Sequence, residues 1–105
     1  MKKPNKIWII TGAARGFGQQ ISKAVLATGD IVIATVRSRP EELKAQLGSH
    51  PNLHVAILDI TNEDQARNVA AEAVKNFGRI DVLVNNAGSG LLSACLLYTS
   101  DAADD

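Results

Sequence analysis

The chain contains a single cysteine, Cys95. It therefore has no partner for an internal disulfide and too few thiolates for a cysteine-based zinc cluster. A reducing, cytoplasmic setting is the expectation. Excess charge of either sign is also missing, with Lys+Arg 11 and Asp+Glu 11. Nucleic-acid backbones and anionic membrane surfaces are held by a positive field, so neither is an expected partner. Long hydrophobic runs are absent as well. Lys2 and Lys3 precede the apolar stretch Ile7 to Ile10, but that stretch is too short for a signal-peptide core and leads straight into Thr11-Gly12. There is no internal repeat, low-complexity tract or linker before the last few residues. What is present, 105 residues with 46% hydrophobic content, suffices for one globular unit around one core.

Four short apolar runs, at residues 7–10, 31–34, 54–58 and 82–84, are bounded by glycine, proline or polar residues and are expected to be strands. Their near-continuous hydrophobicity suits strands covered on both faces, as in a parallel sheet. Helical patterns fill the gaps. Ala66, Val69, Ala70, Ala73, Val74 and Phe77 make one apolar stripe. Thr61 is the expected cap at its start, with Asp64 in the reciprocal position, and Gly78 the expected left-handed stop. Ile21, Ala24, Val25 and Leu26 form a second amphipathic segment closed by Gly29, and Ser38 with Pro40 opens a shorter third one ending near Gly48. The order βαβαβαβ predicts an α/β, doubly wound parallel sheet whose ligand crevice lies beyond the carboxyl ends of the strands.

Chemistry is therefore sought just after each strand. The first strand runs into Thr11-Gly12-Ala13-Ala14-Arg15-Gly16-Phe17-Gly18 and then directly into a helical pattern. Glycines here permit a tight turn, the approach of a pyrophosphate to the backbone, and close packing of helix on strand; free amides at the helix start bind the anion. Gly12, Gly16 and Gly18 are spaced G-x-x-x-G-x-G, not G-x-G-x-x-G. A Walker loop would need Gly-Lys-Ser/Thr where Phe17-Gly18-Gln19 stands, which removes kinase-like and ATPase readings.

The pattern T-G-x-x-x-G-x-G resembles the cofactor signature of the short-chain dehydrogenases/reductases, and Asn85-Asn86-Ala87-Gly88 after the fourth run is similar to a second signature of that family. The resemblance covers residues 6 to about 92 and implies a Rossmann-like fold with strand order three-two-one-four, truncated after the fourth strand. It further implies that Gly12, Ala14, Arg15, Gly16, Phe17 and Gly18 border the cofactor. Asp59 of Leu58-Asp59-Ile60-Thr61 resembles the family's acceptor for the adenine amino group, with Ile60 near the base; satisfying loop amides at the strand end is the competing role for that carboxylate. Asn86, Ala87 and Gly88 are implied to border the cofactor ribose, while Asn85 braces the sheet.

The second strand leads into Thr35-Val36-Arg37-Ser38-Arg39, without the acid that holds the ribose hydroxyls of NAD. Arg37 offers a permanently charged fork suited to a 2′-phosphate, and Arg15 is a second candidate; the alternative for Arg37 and Arg39 is a solvated surface loop. NADP is thus the expected cofactor, ahead of NAD. The family's catalytic serine and Tyr-x-x-x-Lys pair lie downstream of Asn-Asn-Ala-Gly and are not found in this chain: Tyr98 is followed four positions later by Ala102, and Ser93 has no such partner.

Residues 1–94 are read as the N-terminal part of an NAD(P)-binding Rossmann domain. Residues 95–105 are read as translated sequencing adapter, since one frame of a transposon-library adapter encodes Cys95 to Asp104. The parent is then expected to be an oxidoreductase that moves a hydride between NADP(H) and a small carbonyl or alcohol, as a homo-oligomer, with the recorded chain itself inactive. A non-catalytic NADP-binding sensor on the same scaffold is the alternative.

Overall fold

Apolar, β-branched runs of this kind extend readily on a pleated surface, and all four do so. The computed structural model describes residues 5–14, 16–48 and 50–86. In chain order the elements are β1 (Ile7–Ile10), α1 (Gly16–Ala27), β2 (Ile31–Val36), α2 (Pro40–Leu47), β3 (Leu53–Ile57), α3 (Glu63–Phe77) and β4 (Val82–Val84). The strands form one parallel sheet in the order β3-β2-β1-β4. Ile7 stands opposite Ile31, Trp8 opposite Val82, and Val32 opposite Leu53.

Alternation of side chains along each strand divides the core between two faces. Ile7, Ile9 and Ile33 pack with Ala66, Val69, Ala70 and Ala73 of α3. Ile10, Val32, Ala34 and Val36 pack with Val25 and Leu26 of α1 and Leu43 of α2. The consecutive residues Ile9 and Ile10 are both 0% exposed, which requires that the sheet be covered on both sides. Each such burial contributes roughly 1.5–3 kcal/mol. The chain moves outward from β1 through β2 to β3 and then crosses back to β4, so the direction of winding reverses between β1 and β4.

Boundaries differ from expectation where polar residues are buried. β2 continues through Thr35 and Val36, because Thr35 is 1% exposed and its carbonyl receives the Ala13 amide at 3.1 Å. β3 starts at Leu53 and ends at Ile57, although Leu58 remains buried. The expected Thr61 cap is incorrect: Asn62 is the cap residue of α3, its Oδ1 accepting from the Gln65 amide at 3.1 Å, while the Thr61 hydroxyl turns back towards the preceding loop and donates to Asp59. Pro40 opens α2, and Gly78 ends α3 in the left-handed region at φ 84.

At the amino ends of the strands, Asp81 fastens β4 to β1. Its Oδ2 accepts from the Ile7 amide at 2.8 Å and its own amide donates to the Ile7 carbonyl at 2.9 Å. Arg79 Nε donates to the same carboxylate at 3.0 Å. Desolvation raises the Asp81 pKa, but the Ile7 amide and the charge of Arg79 outweigh it and hold the carboxyl below its ordinary value.

Candidate functional site

The carboxyl ends of all four strands lie along one edge of the sheet, and each of the expected stations follows one of them. After β1, Gly12 and Gly16 adopt φ 60 and φ 59, values that side-chain-bearing residues rarely take. Ala13 is fully buried between them and tied to β2, while Ala14 is exposed. Gly16 opens α1, whose first-turn amides lack partners within the helix by construction. Phe17 is 77% exposed. Gly18 is buried for a steric reason: a Cβ there would meet the Gly12 carbonyl oxygen at 2.5 Å and Asn86 Nδ2 at 2.9 Å. Glycine is what lets α1 approach the loop this closely. Arg15 lies outside the described residues.

The end of β4 locks onto this loop. The Thr11 amide donates to the Val84 carbonyl at 3.0 Å, Thr11 Oγ1 to Asn85 Oδ1 at 3.2 Å, and Asn86 Nδ2 to the Gly12 carbonyl at 3.1 Å. The two asparagines thus join segments 74 residues apart in sequence. Ala87 and Gly88 lie outside the described residues, as do Ser93, Cys95 and Tyr98.

At the end of β2 the side chains separate by environment. Val36 is 3% exposed and packs in the core shared with α1 and α2, so an acid at this position would be buried among aliphatic groups. Arg37 is exposed and makes no hydrogen bond or ion pair among the described residues. Arg39 is diverted, since it adopts φ 57 ahead of α2 and pairs with Glu42 at 3.7 Å.

Beyond β3, Asp59 is held by its neighbours. Its Oδ1 accepts from the Thr61 hydroxyl at 2.7 Å and the Thr61 amide at 2.9 Å. These two bonds, in that order, pull the carboxyl below its ordinary pKa; slight desolvation opposes them and the charge of Arg37 adds to them. The loop-amide role weighed for Asp59 is therefore present. Ile60, expected near the base, packs against the α3-side core. Gln65 was not anticipated: its Oε1 accepts the Asp59 amide at 2.7 Å. The available signal was its position one turn into an apolar-striped helix, which reveals nothing about a bond back to the preceding loop.

A groove of about 580 Å³ lies elsewhere, between β3 and α3, lined by His54, Ala56, Val69 and Phe77 among others. None of the expected cofactor residues borders it. No helix among the described residues is long and apolar enough to cross a membrane.

A doubly wound parallel sheet, with a glycine loop at the start of α1 and the winding reversal beside it, defines the dinucleotide-binding class of α/β proteins. Within that class, the short chain dehydrogenase family model matches residues 6–104, and the chain belongs to that family. Oxidoreductase BOA17 of Botryotinia fuckeliana is 44% identical over 85 residues, covering 79% of this chain and 31% of the relative. The NADP-dependent 3-hydroxy acid dehydrogenase YdfG of Escherichia coli (strain K12) is 41% identical over 87 residues, covering 81% and 34%. A short-chain dehydrogenase from Streptomyces avermitilis superposes with a TM-score of 0.82 at 32% identity, over 93% of this chain and 45% of that one. The chain thus spans about a third of the length of these curated relatives.

Proposed function

We propose that this chain binds NADP(H) along the carboxyl edge of its sheet, and that the full-length protein transfers a hydride between that cofactor and a small carbonyl or alcohol in the cytoplasm. The observation that carries the reading is Arg37, an exposed guanidinium at the end of β2 with no hydrogen bond or ion pair among the described residues, where Val36 stands in place of an acid. The NADP dependence named for YdfG supports it.

The residues present fit a dinucleotide. Apart from its chain neighbours and its own helix backbone, no atom of the described residues stands within 4 Å of where a Gly16 side chain would begin, and Gly18 lets α1 pack closely on the loop. Gly12, Ala14, Arg15, Gly16, Phe17 and Gly18 would border the pyrophosphate, with helix-start amides as donors. Arg37 would pair with the 2′-phosphate, Asp59 would accept from the adenine amino group with Ile60 beneath, and Asn86, Ala87 and Gly88 would border the ribose. The cofactor, when bound, supplies the hydride chemistry. This chain's residues bind and orient; proton transfer belongs to the serine, tyrosine and lysine that the family carries downstream.

The test is kcat/KM for NADPH and NADH with the full-length protein and a panel of carbonyl substrates. The wild type is expected to favour NADPH, and Arg37→Ala to reduce that preference by roughly ten- to a hundredfold, the size of a charge-assisted contact. Equal use of NADH by the wild type would overturn the assignment.

A further inference from the structure

We infer that Thr61 and Gln65 are positioning residues for Asp59, holding its carboxylate as a fixed acceptor with Oδ1 locked and Oδ2 without a partner among the described residues. The inference rests on the dinucleotide reading above and adds to it the device that orients the adenine-side acceptor.

A carboxylate on a strand-end loop ordinarily rotates among several orientations, and each one frozen by a ligand weakens binding. Here that freedom is removed before any ligand arrives. The side chain is caught at Oδ1 by both the hydroxyl and the amide of Thr61. The backbone is caught at both of its polar groups: the Asp59 amide donates to Gln65 Oε1 at 2.7 Å, and the Asp59 carbonyl accepts from the Asn62 amide at 2.8 Å. Gln65 is anchored in turn, since its amide donates to the Asn62 cap. An ionised carboxylate has room for about four donors, and both Thr61 bonds fall on one oxygen. Oδ2 has no partner among the described residues. Because donors favour the charged form, the same bonds keep the acceptor ionised as the pH falls.

A merely structural turn would contribute to stability and leave adenine binding untouched, so the test reads both the carboxylate and the ligand. Asp59 is titrated by carboxyl NMR, and ADP-ribose, which lacks the 2′-phosphate, is the probe for the adenine end. Thr61→Val is expected to raise the Asp59 pKa towards its ordinary value and to weaken ADP-ribose about three- to tenfold, the size of one net hydrogen bond. Thr61→Ser, which keeps the hydroxyl, should stay within about twofold of wild type on the same scale. Gln65→Leu should weaken ADP-ribose while leaving both Thr61 bonds in place. An Asp59 titration unmoved by Thr61→Val overturns the positioning role. If the titration moves but neither Thr61→Val nor Asp59→Asn alters ADP-ribose affinity, the orientation device exists but the adenine reading of Asp59 fails.

Discussion

Replacing Gly18 by alanine is the most discriminating perturbation of the loop. The added methyl would stand 2.5 Å from the Gly12 carbonyl oxygen, 2.9 Å from Asn86 Nδ2 and 3.0 Å from the Ala13 Cα. Two of those three are backbone atoms of the loop that α1 packs upon, so relief requires α1 to move outward or the loop to shift. Overpacking of this kind costs about 1–3 kcal/mol. Displacing Asn86 also strains its bond to Gly12, adding about 0.5–1.5 kcal/mol. The total is about 1.5–4.5 kcal/mol, and in a domain of this size each kcal/mol lowers Tm by roughly 4–8 °C. Gly16 provides the control. It has φ +59 and nothing within 4 Å of a built Cβ, so Gly16→Ala should cost only the left-handed penalty of about 1–2 kcal/mol. Urea unfolding of both variants, with dinucleotide titration alongside, separates packing from binding. Gly18→Ala should lose stability foremost, whereas Gly16→Ala should stay folded and lose affinity, because its methyl would enter the open space that the proposed dinucleotide would occupy. A Gly18→Ala protein as stable as Gly16→Ala would refute the steric argument.

Asp81→Asn should destabilise the chain by about 1 kcal/mol, the value of a charged hydrogen bond discounted for partial exposure, as read by urea midpoint. Because the Asp81 pKa is depressed in the folded state, its contribution is full above the ordinary carboxylate pKa and is lost as the pH falls through the lower folded value; the wild-type advantage over Asp81→Asn should therefore vanish in strong acid. Asn62→Ala should cost about 1 kcal/mol by removing the α3 cap, whereas Thr61→Ala should leave helix capping intact, a difference visible in amide exchange over the first turn of α3. Ile9→Ala, in the fully covered centre of β1, should cost about 2–5 kcal/mol by thermal unfolding.

The sheet was legible because its strands are buried on both sides. Continuous aliphatic runs leave little choice of element, and the strand order followed from the family resemblance. What escaped was local and polar. Thr35 and Val36 extend β2 because the glycine loop uses the Thr35 carbonyl, a tertiary bond that no periodicity encodes. Thr61 and Asn62 are both good cap residue types, and which of them faces the helix depends on the loop: Asn62 Oδ1 accepts from Gln65, while the Thr61 side chain faces Asp59. At the strand ends, glycine spacing marked the loop after β1, while Asp59 and the asparagine pair were singled out by the family resemblance. The Asn86–Gly12 bond and the Gln65–Asp59 bond depend on the placement of side chains in space, and sequence spacing alone does not fix that. Val36 shows the opposite lesson: the missing acid was readable, but the burial that would make an acid costly there was not.

On the proposed reading, the carboxyl edge of this sheet is an NADP site with Arg37 as its phosphate ligand. Calorimetric titration of NADPH and NADH into wild type and Arg37→Ala tests it most directly. NADPH should bind tighter than NADH by about tenfold or more in the wild type, with the two cofactors converging in the variant. Equal affinities in the wild type, or a preference for NADPH that survives Arg37→Ala undiminished, would contradict it.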